Sequence, residues 1–446
     1  MDLARLVELI VEKGRERGVD EVEAYAVQST ATEIHLVSRG VVSITSGSRV
    51  GIGIRCVVGK RVAVVGGEVS EESEALKLLD KCISIAHSLE RDEKWVSLAK
   101  DLGAANTYPP IDRAIALPDI AKLVDYAESL LATQTSTRFV DQGGVSAGYG
   151  ARCIANSYGG PLCDERTHLE VFATFRVVKN GEAGFFSDYS EGRTLEDIDI
   201  SDFAAKGYEI AEKSIGARSI DTGVYEVVLA PKVFASILQA VIAPAISALN
   251  VQMGRSPLAG KRGSKVLAEQ ITLIDDGSSP KLVASRRFDD EGVATRRTIV
   301  VEKGVLSTYL YDTYTANIDG VESTGSAHRE SLSSQPLPSY TNLLMIPGSA
   351  RIDDVVADMK RGLVVYSVIG QWMSNFVSGM VSATVVNAIY IESGRELYPV
   401  KGVVLGGNIY ELLSDDNIAA VGAEVDHFAA IYTPFVYLRR MSVAGR

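Results

Sequence analysis

Cysteine, histidine and tryptophan are scarce in this chain, at four, five and two of 446 residues. Four cysteines over this length exclude a scaffold built on disulfides. Cys56 and Cys82 fall in apolar strand-like and helix-like runs and read as core thiols. Cys153 and Cys163 have nine residues between them, outside the short pairs of zinc sites, and read as core or loop thiols. They pair only if the fold brings them together. The histidines, His35, His87, His168, His328 and His427, stand singly. None opens a His-Glu-x-x-His or His-Glu-x-x-x-His sequence, so no two imidazoles and a base are set around one zinc. His87 follows the stripe of Leu79 and Ile83 and is expected in the core.

Runs of positive charge are also missing. A formal net charge of −12 opposes non-specific attraction to nucleic acid, and no basic cluster interrupts it. Long apolar runs are absent too. The most apolar window, 227–249, contains Lys232, Ser236, Gln239, Ser247 and two prolines, so a strand and a buried helix are expected there, and no membrane span. The N-terminus carries Leu3, Leu6, Val7 and Ile10 on one face, interrupted by Arg5, Glu8 and Glu12. That is an amphipathic helix without the apolar core of a signal peptide, and a cytoplasmic protein is expected.

A hydrophobic content of 46% is enough to bury substantial cores, and at about 150 residues per domain the length suggests two or three units. In the first half, 21–27, 33–38, 50–58 and 61–65 read as successive strands, and 70–89 as a helix. A proline-rich connector at 104–118 leads to a helix at 119–131. Strands resume at 137–140 and 169–178, where Asn180-Gly181 is a strong hairpin turn into 183–186, and a helix follows at 200–214. Strands in runs, without strict alternation with helices, mark an α+β class. The main boundary is placed near residue 220, giving an N-terminal α+β domain at 1–220, with a sub-boundary near 104–118, and a strand-rich domain at 221–446. In the second domain, hairpins are expected around Lys303-Gly304 and Ser393-Gly394, with helices confined to 231–249, 352–360 and 407–413. A barrel-like or rolled antiparallel sheet fits this pattern. In the first of these helices Pro244 removes a backbone donor and crowds the preceding turn, at about 3 kcal/mol, so a bend or break is expected at 240–244.

Four groups of residues offer chemistry. Gly144-Val145-Ser146-Ala147-Gly148 matches a nucleophile elbow, but no helix follows it, and a glycine-rich turn is the expected reading. His168 and Glu170 share a strand face and need a third ligand, which the sequence does not name, to hold a metal. Asp275-Asp276-Gly277 and Asp289-Asp290-Glu291-Gly292 are the densest acidic clusters. They read as solvated turns at strand junctions, the second also as an internal ion pair with the following Arg296-Arg297. The loop at 325–341, with His328 and Arg329, is either a ligand-contacting loop or a surface excursion.

Three longer stretches are distinctive: Phe-Asp-Asp-Glu-Gly-Val at 288–293, Arg-Thr-Ile-Val-Val-Glu-Lys-Gly-Val-Leu at 297–306, and Tyr-Leu-Tyr-Asp-Thr-Tyr-Thr-Ala at 309–316. With Ser-Pro-Leu-Ala-Gly-Lys at 256–261 and a linked order over nearly the whole chain, the sequence resembles the TldD/TldE (PmbA) family. Its members were once named modulators of DNA gyrase and are understood as metallopeptidase components. The resemblance implies that a TldD-type subunit holds its metal through a His-Glu-x-x-x-His helix and a late cysteine. Here Gln239 and Pro244 stand in place of the histidines and Ala240 in place of the glutamate, and no cysteine follows Cys163. What remains cannot polarise a carbonyl or activate water.

The resemblance therefore implies a TldE-type, non-catalytic subunit, with no metal or cofactor of its own and zinc expected only on a TldD-type partner. The heterodimer would enclose a chamber for unfolded peptides, held extended by strand addition. His328 and Arg329, with Phe376 and Ser378, are the residues expected near that chamber. Any link to gyrase would be indirect, through processing of a peptide toxin. Two other readings stay open: a self-contained peptidase using His168 with Glu170 or Ser146, and a homodimeric peptide-binding protein.

Overall fold

A computed structural model describes residues 1–37 and 40–446. The first sheet has six antiparallel strands in the order β3-β2-β1-β4-β5-β6. These are β1 (Glu21–Val37), β2 (Gly40–Val58), β3 (Arg61–Glu68), β4 (Arg138–Asn156), β5 (Gly159–Lys179) and β6 (Glu182–Gly192). β1 joins two expected strands into one; Ser38, the expected end of the second, lies outside the described residues. β4 is far longer than the expected 137–140, because Gly143, Gly144, Gly148 and Gly150 sit within its pairing to β5 and do not form a turn. The Asn180-Gly181 turn closes β5 onto β6, with φ of 53° and 81°, the left-handed pair that two-residue hairpins require.

Alternation along β5 sets the layers. From Thr167 to Val177 its odd-numbered residues are buried and the residues between them only partly so. On the buried face, Ile34, Val145, Leu169, Val171 and Phe175 pack against α4 (Ile120–Leu131) and α5 (Ile200–Lys213). On the same face Val22, Ile52 and Ile54 pack against α1 (Leu3–Glu16) and α2 (Glu72–Ser88). A one-turn helix, α3 (Arg113–Ala116), precedes α4. The caps are readable in the sequence: Asp2, Asp119 and Asp199 each accept from backbone amides in the first turn of α1, α4 and α5. His87 is exposed near the end of α2, against expectation; Ala75, Leu79, Cys82 and Ala86 form the buried stripe and His87 lies one residue off it.

The chain enters the second sheet at β7 (Gly223–Leu229). The strands that follow are β8 (Leu273–Asp276), β9 (Arg297–Glu302), β10 (Val305–Leu306), β11 (Ala327–His328), β12 (Leu337–Pro338), β13 (Leu343–Met345), β14 (Arg361–Ile369), β15 (Met380–Glu392), β16 (Arg395–Val400), β17 (Val404–Asn408), β18 (Ile418–Phe428) and β19 (Ile431–Ala444). β7, β14, β15, β17 and β19 close into a five-stranded barrel through the additional pairing of β19 with β7. The α+β class and the barrel-like second half are as the sequence reads, and the hairpins at Lys303-Gly304 and Ser393-Gly394 form as expected.

Helix α6 (Pro231–Ala245) packs Phe234, Ile237, Leu238, Val241 and Ile242 into the core shared with Val227, Leu363, Val365, Val436 and Leu438 of the barrel. It continues through Pro244 and ends one residue later. The chain turns at Ile246 and Ser247 into the short α7 (Ala248–Gln252), so the proline ends the helix and does not bend it. A further helix, α8 (Thr313–Asp319), falls where no helix was expected; Asp312 caps it through the Thr315 amide. Its β-branched and aromatic residues have low helix propensity, and its docking against α7 overrides it. Among the described residues no helix is long and apolar enough to cross a membrane.

Candidate functional site

The open face of the first sheet forms a groove. Opposing residues in the antiparallel ladder share a face, so Tyr25, Val27, Ser29, Ala31 and Glu33 of β1 line up with Ile154, Arg152, Gly150, Gly148 and Ser146 of β4. Asp164, Arg166, His168 and Glu170 of β5 extend the same rows. Gly148 and Gly150 contribute no side chains, which leaves a cavity of about 380 Å³ between the sheet and the segment carrying Ser285, Arg286, Asp290, His328 and Arg329. Ser146 lies in mid-strand on this floor. Its Gly-x-Ser-x-Gly setting is neither an elbow nor the expected glycine-rich turn.

One wall is a buried ion network. Asp290 Oδ1 accepts from Arg152 at 2.7 Å, Arg286 at 3.0 Å and the Tyr25 hydroxyl at 3.2 Å, while its Oδ2 accepts from the Arg329 amide at 2.8 Å. Burial works against the charge, but Arg286 and Arg152 overcome it and hold this carboxyl below the usual carboxylate range. Arg55 bridges Glu23 at 2.8 Å and Glu291 at 3.1 Å, and Arg329 also pairs with Glu23. Asp289 closes its own loop by accepting from the amides of Glu291, Val293 and Ala327. This acidic cluster is therefore no solvated turn. Its partners come from β2, β4 and nearby loops, whereas Arg296 pairs with the exposed Glu322. Asp275 is likewise buried, while Asp276 caps the turn at Ser278 and Ser279.

The expected chamber residues fall in different places. His328 lines the groove with its ring 3.5 Å from Asp290, whereas the Arg329 side chain is committed to the buried network. Phe376 and Ser378 lie outside the groove lining, in the segment before β15, where Phe376 packs on the barrel core and the Ser378 carbonyl accepts from the Asn408 side-chain amide. Residues 325–341 are no free excursion: Leu332 docks onto the glycine surface of β2 and β3.

Helix α6 does not fit a metal ion. The Gln239 amide donates to the Tyr340 hydroxyl at 3.4 Å, Ala240 offers a methyl, and Pro244 has no ligating atom. No cysteine is available nearby. Cys56 and Cys82 are buried free thiols in the first half, as expected, and Cys153 is joined to Cys163. That disulfide replaces the reading as separate thiols. The tight turn after Asn156 sets the two cysteines directly opposite each other on β4 and β5, a register that their spacing alone does not reveal.

Three hydrogen bonds lead from α6 to the sheet: Gln239 to Tyr340, Tyr340 to the Ala429 carbonyl, and the Ala429 amide to Tyr189 of β6. Two residues beyond Tyr189, Glu191 stands directly opposite Glu170. His168, Glu170 and Glu191 form the one group of three potential metal ligands found among the described residues. Burial first, with Arg166 and Arg193 behind it, pushes the His168 imidazole down to about 4. Burial also raises Glu170, aided by Glu33, and Glu191, aided by Glu170. Sequence reading had the first two residues of this group; Glu191 is on the next strand, 21 positions from Glu170, and only the hairpin register supplies it.

The model of the PmbA/TldA metallopeptidase C-terminal domain matches residues 222–445. An uncharacterised protein of Methanocaldococcus jannaschii is 30% identical over 423 residues, spanning 93% of this chain and 94% of its own length. A metalloprotease PmbA homolog of Haemophilus influenzae is 24% identical, with 100% of this chain and 96% of that protein covered. The crystal structure of TldE from Thermococcus kodakarensis has a TM-score of 0.89 at 24% identity, covering 99% of this chain and 100% of that one, a likeness of fold.

Proposed function

The chain belongs to the PmbA/TldD metallopeptidase family, and from that premise we propose that it is a non-catalytic, TldE-type subunit acting with a TldD-type partner on unfolded peptides. One observation carries the reading. At the helix where the family's catalytic members hold zinc, this chain presents an amide already bonded to Tyr340, a methyl and a proline ring. A peptidase of this class needs a metal to polarise the scissile carbonyl and lower the pKa of its water, and these side chains do neither.

The work left to this chain is binding and orientation. The groove offers a flat floor at Gly148 and Gly150 and polar walls, and the same sheet ends in β3 and β6, each paired on one side only, features suited to an extended backbone whose own amides and carbonyls supply sequence-tolerant affinity. The partner would supply the zinc and complete the chamber.

The test is hydrolysis of an unfolded peptide by the purified chain, by a TldD-type paralogue from the same cell, and by their mixture. Activity is expected in the mixture and absent from this chain alone. Chelator-sensitive hydrolysis by this chain alone would sink the accessory reading in favour of a self-contained peptidase.

A further inference from the structure

We propose that the groove face of the first sheet carries a divalent-metal site of its own, with His168, Glu170 and Glu191 as its protein ligands, separate from the helix α6 position. Register builds it. His168 and Glu170 are two apart on β5 and so share a face, and Glu191 on β6 is the direct cross-strand partner of Glu170. One ligand atom from each lies within 4.8 Å of the other two. Metal–ligand bonds of about 2.0–2.2 Å allow two donors on one ion to stand up to about 4.4 Å apart, so side-chain torsions alone close the set. All three residues sit on paired strands, whose backbone is fixed by the ladder.

Two orphaned atoms point to an occupant. Glu191 Oε2 is buried without a hydrogen-bond partner, and so is His427 Nε2, 4.0 Å away. The two face each other and form an ion pair only if His427 is protonated, which its burial disfavours. Lys232 is occupied at 2.8 Å by Asp188 and lies 3.8 Å from Asp426, and Arg193 donates to the carbonyls of Val283 and Ser285. Glu33, in the same cross-strand row as Glu170, adds further negative charge. One imidazole with two carboxylates is a nitrogen and oxygen donor set suited to zinc or manganese. Three protein ligands leave coordination positions open, and His168 lines the groove, so a peptide carbonyl or carboxylate can enter from that side. The competing account is two carboxylates sharing one proton, which needs no metal.

The experiment uses the full chain, stripped by chelator and titrated with zinc by calorimetry. One zinc per chain is expected, with His168→Gln and Glu191→Gln each weakening binding about tenfold or more while the melting temperature of the metal-free protein is unchanged. Absence of saturable zinc binding, or equal affinity in the double variant, would overturn the site and leave the shared proton. If the variants fail to fold, zinc-edge anomalous scattering from wild-type crystals decides: a peak between the three side chains supports the site, and a peak elsewhere or none refutes it. Binding without hydrolysis leaves the accessory role intact, so the two proposals fail independently.

Discussion

Asp275 is a buried carboxyl that accepts from the Thr341 amide at 2.7 Å, the Asn342 amide at 3.1 Å and the Ser326 hydroxyl at 2.9 Å. Burial outweighs these donors and pushes it up to about 6 from an ordinary 3.8. The folded state therefore holds the proton more tightly than the unfolded chain. Its stabilising contribution is complete below the unfolded value of 3.8 and is lost as pH rises through about 6. A shift of that size corresponds to on the order of 3 kcal/mol. Asp275→Asn keeps the acceptor for both amides and removes the titration. Urea unfolding from pH 4 to pH 7 should show the variant gaining on the wild type up to about pH 6 and holding a constant margin above it. A margin that does not change with pH would show that Asp275 ionises normally.

The elements of the first half are held by close contact between helix and sheet, and Gly207 marks one such close approach. A Cβ there would collide with the Phe175 ring, which already packs edge-on against Phe203 and Tyr208 with centroids 5.4 and 5.0 Å away. Gly207→Ala should force α5 off β5 and cost about 1–3 kcal/mol, although alanine is the better helix former. Thermal melting checks this; a neutral or stabilising outcome would mean that α5 is more loosely seated than the packing shows. The same logic explains why the 288–293 signature is acidic. Asp290 and Glu291 each have a buried arginine partner and Asp289 accepts from backbone amides, so the three carboxyls fix a loop against the sheet and do not contact solvent. Removing one partner of such a set leaves an uncompensated charge in the interior.

At the scale of the whole molecule, the two sheets meet through that ion network and through Leu332. Gly53 and Gly66 lie under Leu332 so closely that a Cβ at either would collide with its backbone. A larger residue at Gly53 should lift the 325–341 segment off β2 and β3 and unseat Arg329 from Glu23. Gly53→Val is therefore expected to make that segment a site of limited proteolysis, as shown by the mass of the first fragments. Cleavage at the wild-type rate would show that the docking is not what protects the segment. Because the segment also brings His328 to the groove, the variant should, on the proposed peptide-binding role, weaken peptide binding together with protease resistance.

Periodicity and turn chemistry made much of the architecture legible before any coordinates. The stripe of Leu3, Leu6, Val7 and Ile10 and the Asn180-Gly181, Lys303-Gly304 and Ser393-Gly394 turns are local signals, and each element formed where its residues placed it. Side-chain chemistry was legible in the same way at α6, since Gln239, Ala240 and Pro244 supply no imidazole, carboxylate or thiolate wherever the helix lies. Local signals gave the wrong length for β4, the wrong state for residues 313–319 and the wrong side for His87, because there the neighbours in space outweigh propensity. What the sequence by itself determined is the class of fold, its turns and the absence of ligands on one helix, all consequences of residue type and short-range spacing. The tertiary structure alone decided that Cys153 faces Cys163, that Arg152 and Arg55 neutralise the acidic signature, and that Glu191 completes a set with His168 and Glu170. Those pairings depend on strand register and on two sheets meeting, long-range properties that the spacing of residues along the chain does not encode.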